Sequence, residues 1–148
     1  MNVLILASVF PKAHPKSGLP TRFEEKFLNG KKIHTLRENK LERYRRGNKV
    51  SVRRWSDKPY RSEQVIIKDG VKIDVQPVRL FLTFDGSGTP KISTRVLGTD
   101  RMIDEFILSS NDGLSLPDFV DWFFPNWRKD KSEQVWNGAV IHFTDFRY

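Results

Sequence analysis

The sequence predicts an α+β fold, a small β-barrel of six to seven mostly antiparallel strands with two or three short helices. Three observations predict it. Apolar, β-rich runs recur at short intervals and stand at both ends of the 148 residues. Glycine- and proline-bearing turns separate them. The helical patterns between them are short. A chain of this length buries a real core but is too short for two ordinary domains. No repeat or linker divides it, so residues 1–148 read as a single domain.

The elements follow in order. Residues 2–8 predict a strand. PKAHPKSGLP at 11–20 carries three prolines and a glycine and predicts an irregular loop, because proline fixes φ and donates nothing to a ladder. Thr21 reads as a helix N-cap with Glu24 completing a capping box. Phe23, Phe27 and Leu28 share a face of that helix, and Gly30 is placed to stop it. Residues 33–38 predict a strand, ENKLERYRRGN a helical turn or loop, and KVSVRRW another strand. EQVIIKDGVKIDV predicts a hairpin turning at Asp69-Gly70. VRLFLTF and KISTRVL predict a second pair around Asp85-Gly86-Ser87-Gly88. TDRMIDEFILSS predicts a helix with Met102, Ile103, Phe106 and Ile107 on one stripe and Thr99 as a candidate cap. A further helix starts near Ser115, with Pro117 in its first turn, an aromatic face of Phe119, Trp122 and Phe123, and Pro125 ending it. WNGAVIHFTDFRY predicts the closing strand.

Composition excludes several chemistries. The chain has no cysteine, which removes disulfides, thiolate zinc sites and thiol nucleophiles and fits a reducing, cytoplasmic setting. No apolar run approaches the roughly 20 residues of a membrane helix, and MNVLILASVF reads as a buried strand rather than a signal peptide. No GxxxxGK[ST] loop, GxGxxG turn or HExxH motif is present. His14, His34 and His142 have no metal-site spacing, so no metal and no cofactor are expected.

Charge is unevenly placed. Between Lys31 and Arg61 stand twelve Lys/Arg and three acids, a net of +9, while the rest of the chain nets −1. A basic patch of this kind suits a polyanion, nucleic acid being the commonest; the alternative is a solvated basic face. Within it lies Gly30-Lys31-Lys32-Ile33-His34-Thr35-Leu36-Arg37. On a strand Thr35 and Arg37 share a face, and Lys32 joins them only from a turn before the strand, which Gly30 provides. A cleft there would hold an amine, a hydroxyl and a guanidinium. A desolvated lysine can act as base, a threonine as nucleophile, and an arginine as a fork of donors for a carbonyl, carboxylate or phosphate. The plain alternative is an ordinary basic strand.

The spacing Gly30-x-Lys32-x-x-Thr35-x-Arg37 after a short helix resembles the signature of ASCH domains, a branch of the PUA-like barrel superfamily. RYRRGNKVSVRRW, with Gly47, Asn48 and Val50, resembles the strand that follows the motif in that family. NDGLSLPDFVDWFFP resembles its acidic turn and amphipathic helix, and WNGAVIHFTDF its last strand. The resemblance spans residues 22–148 and implies a PUA-like barrel. Small bacterial ASCH amidohydrolases that deacetylate N4-acetylcytidine use a Lys, a Thr and a Glu. These positions match Lys32, Thr35 and Asp112, the last being one methylene shorter. This chain is longer than those enzymes through residues 58–96 and the loop at 11–20.

Two functions follow as expectations. In the first, an RNA- or nucleotide-binding module receives a base or RNA end in the cleft. His34 and Arg37 contact the ligand, Arg45, Arg46, Arg53 and Arg54 track phosphates, and Trp55, Tyr44 or Tyr60 stack on bases. In the second, an amidohydrolase removes an acyl group from an N4-acylated cytidine or related modified nucleoside. Lys32 deprotonates Thr35, Thr35 attacks the acyl carbonyl, Asp112 protonates the departing amine, and Arg37 holds the substrate or its oxyanion. The binding reading comes first here, because the basic segment exceeds what a free nucleoside requires.

Overall fold

In a computed structural model, which describes residues 1–130 and 132–148, eight strands form two sheets and three short helices accompany them. β1 (Asn2–Ile5), β3 (Lys49–Trp55) and β4 (Gln64–Lys72) make the smaller sheet, β1 running parallel to β3. The larger has the order β2 (His34–Arg37), β8 (Gln134–His142), β5 (Asp74–Phe84), β6 (Pro90–Val96) and β7 (Met102–Ile103), all antiparallel. The fold is α+β; strand pairing among the described residues makes two separate sheets rather than one closed barrel. β5 alternates as a half-buried strand should, with Val78, Leu80 and Leu82 inward and Arg79 and Thr83 outward. Their inward faces join Leu4, Val50, Val52, Val140 and Ile141 in one core.

Three expectations need correction. Asp69-Gly70 does not turn a hairpin: β4 runs straight through it, paired with β3. A two-residue hairpin turn of this type needs positive φ at both positions, and only Gly70 has it, at 66°. Val50 pairs Val71 and Val52 pairs Lys68, so Asp69 and Gly70 together face Ser51, which makes a bulge. The chain instead crosses between sheets at Ile73, which bonds to Asn48 and Gly47.

The second correction concerns residues 99–111. Met102 and Ile103 form the edge strand on β6, and the helix α2 starts later, at Glu105–Asn111. Asp104, not Thr99, caps it, its carboxylate accepting from the amides of Phe106 and Ile107. The expected apolar stripe is therefore broken: Ile103 is buried, while Met102, Phe106 and Ile107 are exposed. Thirdly, the first helix, α1 (Phe23–Leu28), has Arg22 at its N-cap in the left-handed region. The Thr21 hydroxyl accepts from the Phe23 amide and donates to the Ala7 carbonyl, and Glu24 pairs outward with Arg54, so no capping box closes. Leu28 faces solvent.

The remaining helix matches its prediction. α3 spans Leu116–Phe123 with Ser115 at its N-cap. Residues 11–20 are irregular apart from a Val9–Pro20 bridge, and residues 38–48 form a loop. None of the helices is long and apolar enough to cross a membrane among the described residues.

Candidate functional site

Gly30 adopts φ +80°, turning the chain out of α1, and the amides of Lys31 and Lys32 both return to the Lys26 carbonyl. Lys32 thus stands before β2 begins, on the side that Thr35 and Arg37 face. The turn after α2 docks against this stretch: the Ile33 amide bonds the Asn111 carbonyl. Gly113, at φ +86°, passes so close that a Cβ would stand 3.3 Å from the Lys32 Cβ. The turn brings Asp112 in. The Lys32 ammonium donates to the Asp112 carbonyl at 2.6 Å and to its Oδ1 at 3.3 Å.

These residues line one cleft of about 550 Å³ between the sheets, a size typical of small-molecule sites. Lys32, Thr35, Arg37 and Asp112 contribute its polar groups, and Phe23, Trp55 and Trp122 are among its walls. Arg43, Asp57 and Tyr60 also line it, Tyr60 89% exposed and 5.2 Å from the Trp55 ring.

Electrostatics single out Lys32. It is 2% exposed and its ammonium lies 4.2 Å from the Phe23 ring centre. Burial lowers its pKa to about 8, against the opposing pull of the Asp112 charge. Burial also lowers the Arg37 pKa; one Nη donates to the Ile5 carbonyl, while Nε is buried without a partner among the described residues. Thr35 is buried, and its hydroxyl makes no hydrogen bond to a described residue.

His34 points elsewhere. It is fully buried, with Nδ1 3.3 Å from Asp112 Oδ1 and Nε2 2.6 Å from the Tyr148 hydroxyl. Burial lowers its pKa and so favours the neutral ring. The His142 ring lies 5.7 Å away, while His14 sits on the proline-rich loop against Asp118. Among the described residues no cluster of three His, Cys, Asp or Glu is arranged to hold a metal.

The expected phosphate-tracking residues are spread apart. Arg45 and Arg46 are exposed on the 38–48 loop, Arg46 within 3.6 Å of Asp74. Arg53 bonds Ser51 and Gln64, and Arg54 pairs with Glu24 at 2.7 Å. None of the four lines the cleft. Tyr44 is half-buried, its hydroxyl donating to the Val3 carbonyl. Sequence reasoning missed Tyr148, which bonds His34, and Asn111 and Gln76, which bond Tyr148; none carries a local motif. It also missed Arg43 on the cleft, one cation among many in a basic run.

No protein-family model, curated protein or solved structure matches the chain.

Proposed function

We propose that the cleft hydrolyses the amide of an acylated, nucleobase-like amine, an N4-acylated cytidine being the model substrate. One observation carries this: a buried lysine of lowered pKa, a threonine hydroxyl without a partner among the described residues and a carboxylate line the same nucleoside-sized cleft. The order of motifs that resembles ASCH domains supports it. Neutral Lys32 takes the Thr35 hydroxyl proton through one water, as Thr35 Oγ bonds to the acyl carbon. The C–N bond then breaks, the amine leaving with a proton relayed through Lys32 and Asp112. Water hydrolyses the acyl-threonine and releases the carboxylic acid. Arg37 faces the developing oxyanion, and Trp55 and Tyr60 offer a stacking surface for the base.

The test is acyl release from a panel of N4-acylated cytidines. The wild type turns over, and Thr35→Ala loses at least about 10³-fold in kcat with its melting transition intact, since a nucleophile and little packing are removed. A wild type inactive across the panel refutes the hydrolase.

A binding reading keeps its own support. Arg45 and Arg46 extend a loop that also places Arg43 on the cleft. A nucleotide in the cleft would thus have cations along which a flanking RNA strand could run.

A further inference from the structure

We infer that His34, clamped by Tyr148, is a positioning residue that aims the Asp112 carboxylate and thereby sets the proton affinity of Lys32. The inference rests on the proposal that Lys32 and Asp112 work as a pair.

Asp112 stands at the C-terminal end of α2, where the helix dipole disfavours an anion, and it is 3% exposed. Such a carboxylate needs donors. Its Oδ1 has two, the Lys32 ammonium and His34 Nδ1, each at 3.3 Å. Lys32 must lose its charge to act as a base, and at that moment its hold on Asp112 weakens. His34, whose pKa burial lowers, is the donor that stays in place while Lys32 gives up its charge.

Its proton is directed by what lies behind it. The Asn111 amide nitrogen donates to the Tyr148 phenol oxygen at 3.1 Å, leaving the phenol proton for His34 Nε2 at 2.6 Å. Nε2 therefore accepts, and the one ring proton of neutral His34 sits on Nδ1, facing Asp112. Burial raises the Tyr148 pKa to about 12, so the phenol keeps its proton. Gln76 holds Tyr148 at both backbone polar atoms, its Oε1 accepting from the amide and its Nε2 donating to the carbonyl oxygen, each at 3.0 Å. His142 Nε2 donates to the same Gln76 Oε1 at 2.7 Å. A network joined at this many points fixes one geometry. The ionisable groups facing His34 are Asp112, Lys32, His142 and Tyr148.

The experiment is NMR on the full-length chain, with ¹⁵N-histidine for the tautomer of His34 and ¹³C-lysine for the titration of Lys32. The wild type shows Nδ1 protonated and Nε2 bare at pH 7. Tyr148→Phe removes one oxygen; His34 then samples the other tautomer, and the Lys32 midpoint rises because Asp112 has lost its competing donor. Asn111→Ala, outside the ring packing, moves both readouts the same way by less. A wild-type proton on Nε2 overturns the inference without any variant. Unchanged tautomer and Lys32 midpoint in both variants overturn it as well, leaving a packing role. Neither readout needs turnover, so an inactive wild type whose Lys32 still responds to Tyr148→Phe refutes the hydrolase and leaves the positioning role standing. In an active enzyme, the pH midpoint of kcat moves with the Lys32 midpoint while KM changes less.

Discussion

The segment from Lys31 to Arg61 supplies two kinds of cation, and the cleft uses them differently from the 38–48 loop. Lys32 is almost without solvent, held by Asp112, and its pKa falls to about 8. Arg45 and Arg46 stand in water, Arg46 with a side chain 86% exposed. Water and salt screen the loop charges, so they can steer or touch phosphates but cannot be tuned for proton transfer. A basic run in a sequence therefore does not amount to one basic site; burial divides it.

The sharpest way to break this division is at Lys32. Lys32→Met leaves the buried Asp112 with His34 alone, and removing one partner of a buried pair costs about 3 kcal/mol. Adding Asp112→Asn removes the stranded charge and recovers most of that loss in urea melts at pH 7. Equal, additive losses would show that the two groups are not coupled. The pH dependence has a definite sign. The folded lysine releases its proton near 8 and the unfolded one near its ordinary value of 10.5. Between these values the unfolded state binds more protons, so stability rises with pH, by at most roughly 1.4 kcal/mol per unit. Below 8 both states are protonated and this contribution is lost. The rise is absent in Lys32→Met. If the proposed hydrolysis occurs, turnover climbs with pH with a midpoint near 8, whereas exchanging the loop arginines leaves that midpoint in place.

Much of this site could be read from sequence because its parts are local. Gly30 marks the turn, and two-residue spacing puts Thr35 and Arg37 on one face. The path from Ser115 into α3 is equally local, a cap followed by proline. What sequence misses depends on distant partners. Asp69-Gly70 carries a hairpin's residues, yet the pairing of β4 along β3 turns the dipeptide into a bulge. Met102 and Ile103 fit a helical stripe, but the free edge of β6 recruits them as a strand. Tyr148 reaches His34 across 114 residues, and no pattern near either one signals it.

A smaller effect sharpens the outer side of the comparison. If RNA lies along the 38–48 loop, binding weakens with salt by about 0.7 log units per log unit of salt for each phosphate contact to a single strand. Arg45→Ala with Arg46→Ala should then flatten the slope by about 1.4. Arg54→Ala should flatten it less, because Glu24 already occupies that guanidinium at 2.7 Å. Filter binding at several salt concentrations measures both. An unchanged slope in the double variant makes the loop a solvated face with no phosphate role. Turnover of a free acylated cytidine should stay near wild type throughout, since none of the three residues lines the cleft.

Tyr60 tests the boundary between the two regions. It belongs to the exposed segment between β3 and β4, yet its ring stands at the cleft beside Trp55. Its φ of 62° is unfavourable for any residue with a Cβ, and 89% exposure means that packing does little to offset it. The ring's place beside Trp55 on the cleft wall suits contact with a ligand base. Two substitutions separate backbone from ring. Tyr60→Gly relieves the left-handed backbone and removes the ring; stability should rise by about 0.5 kcal/mol, less the entropy glycine adds to the unfolded chain. Tyr60→Phe keeps the ring and the strain, with stability unchanged. Stacking of one base on an aromatic ring contributes about 1 kcal/mol at the low end, so Tyr60→Gly should raise KM for an acylated cytidine about fivefold while Tyr60→Phe leaves it unaltered. Opposite signs in stability and affinity for the glycine variant would tie the strain to ligand contact. A glycine variant that gains stability with no change in KM would place Tyr60 with the solvated arginines, outside the working cleft.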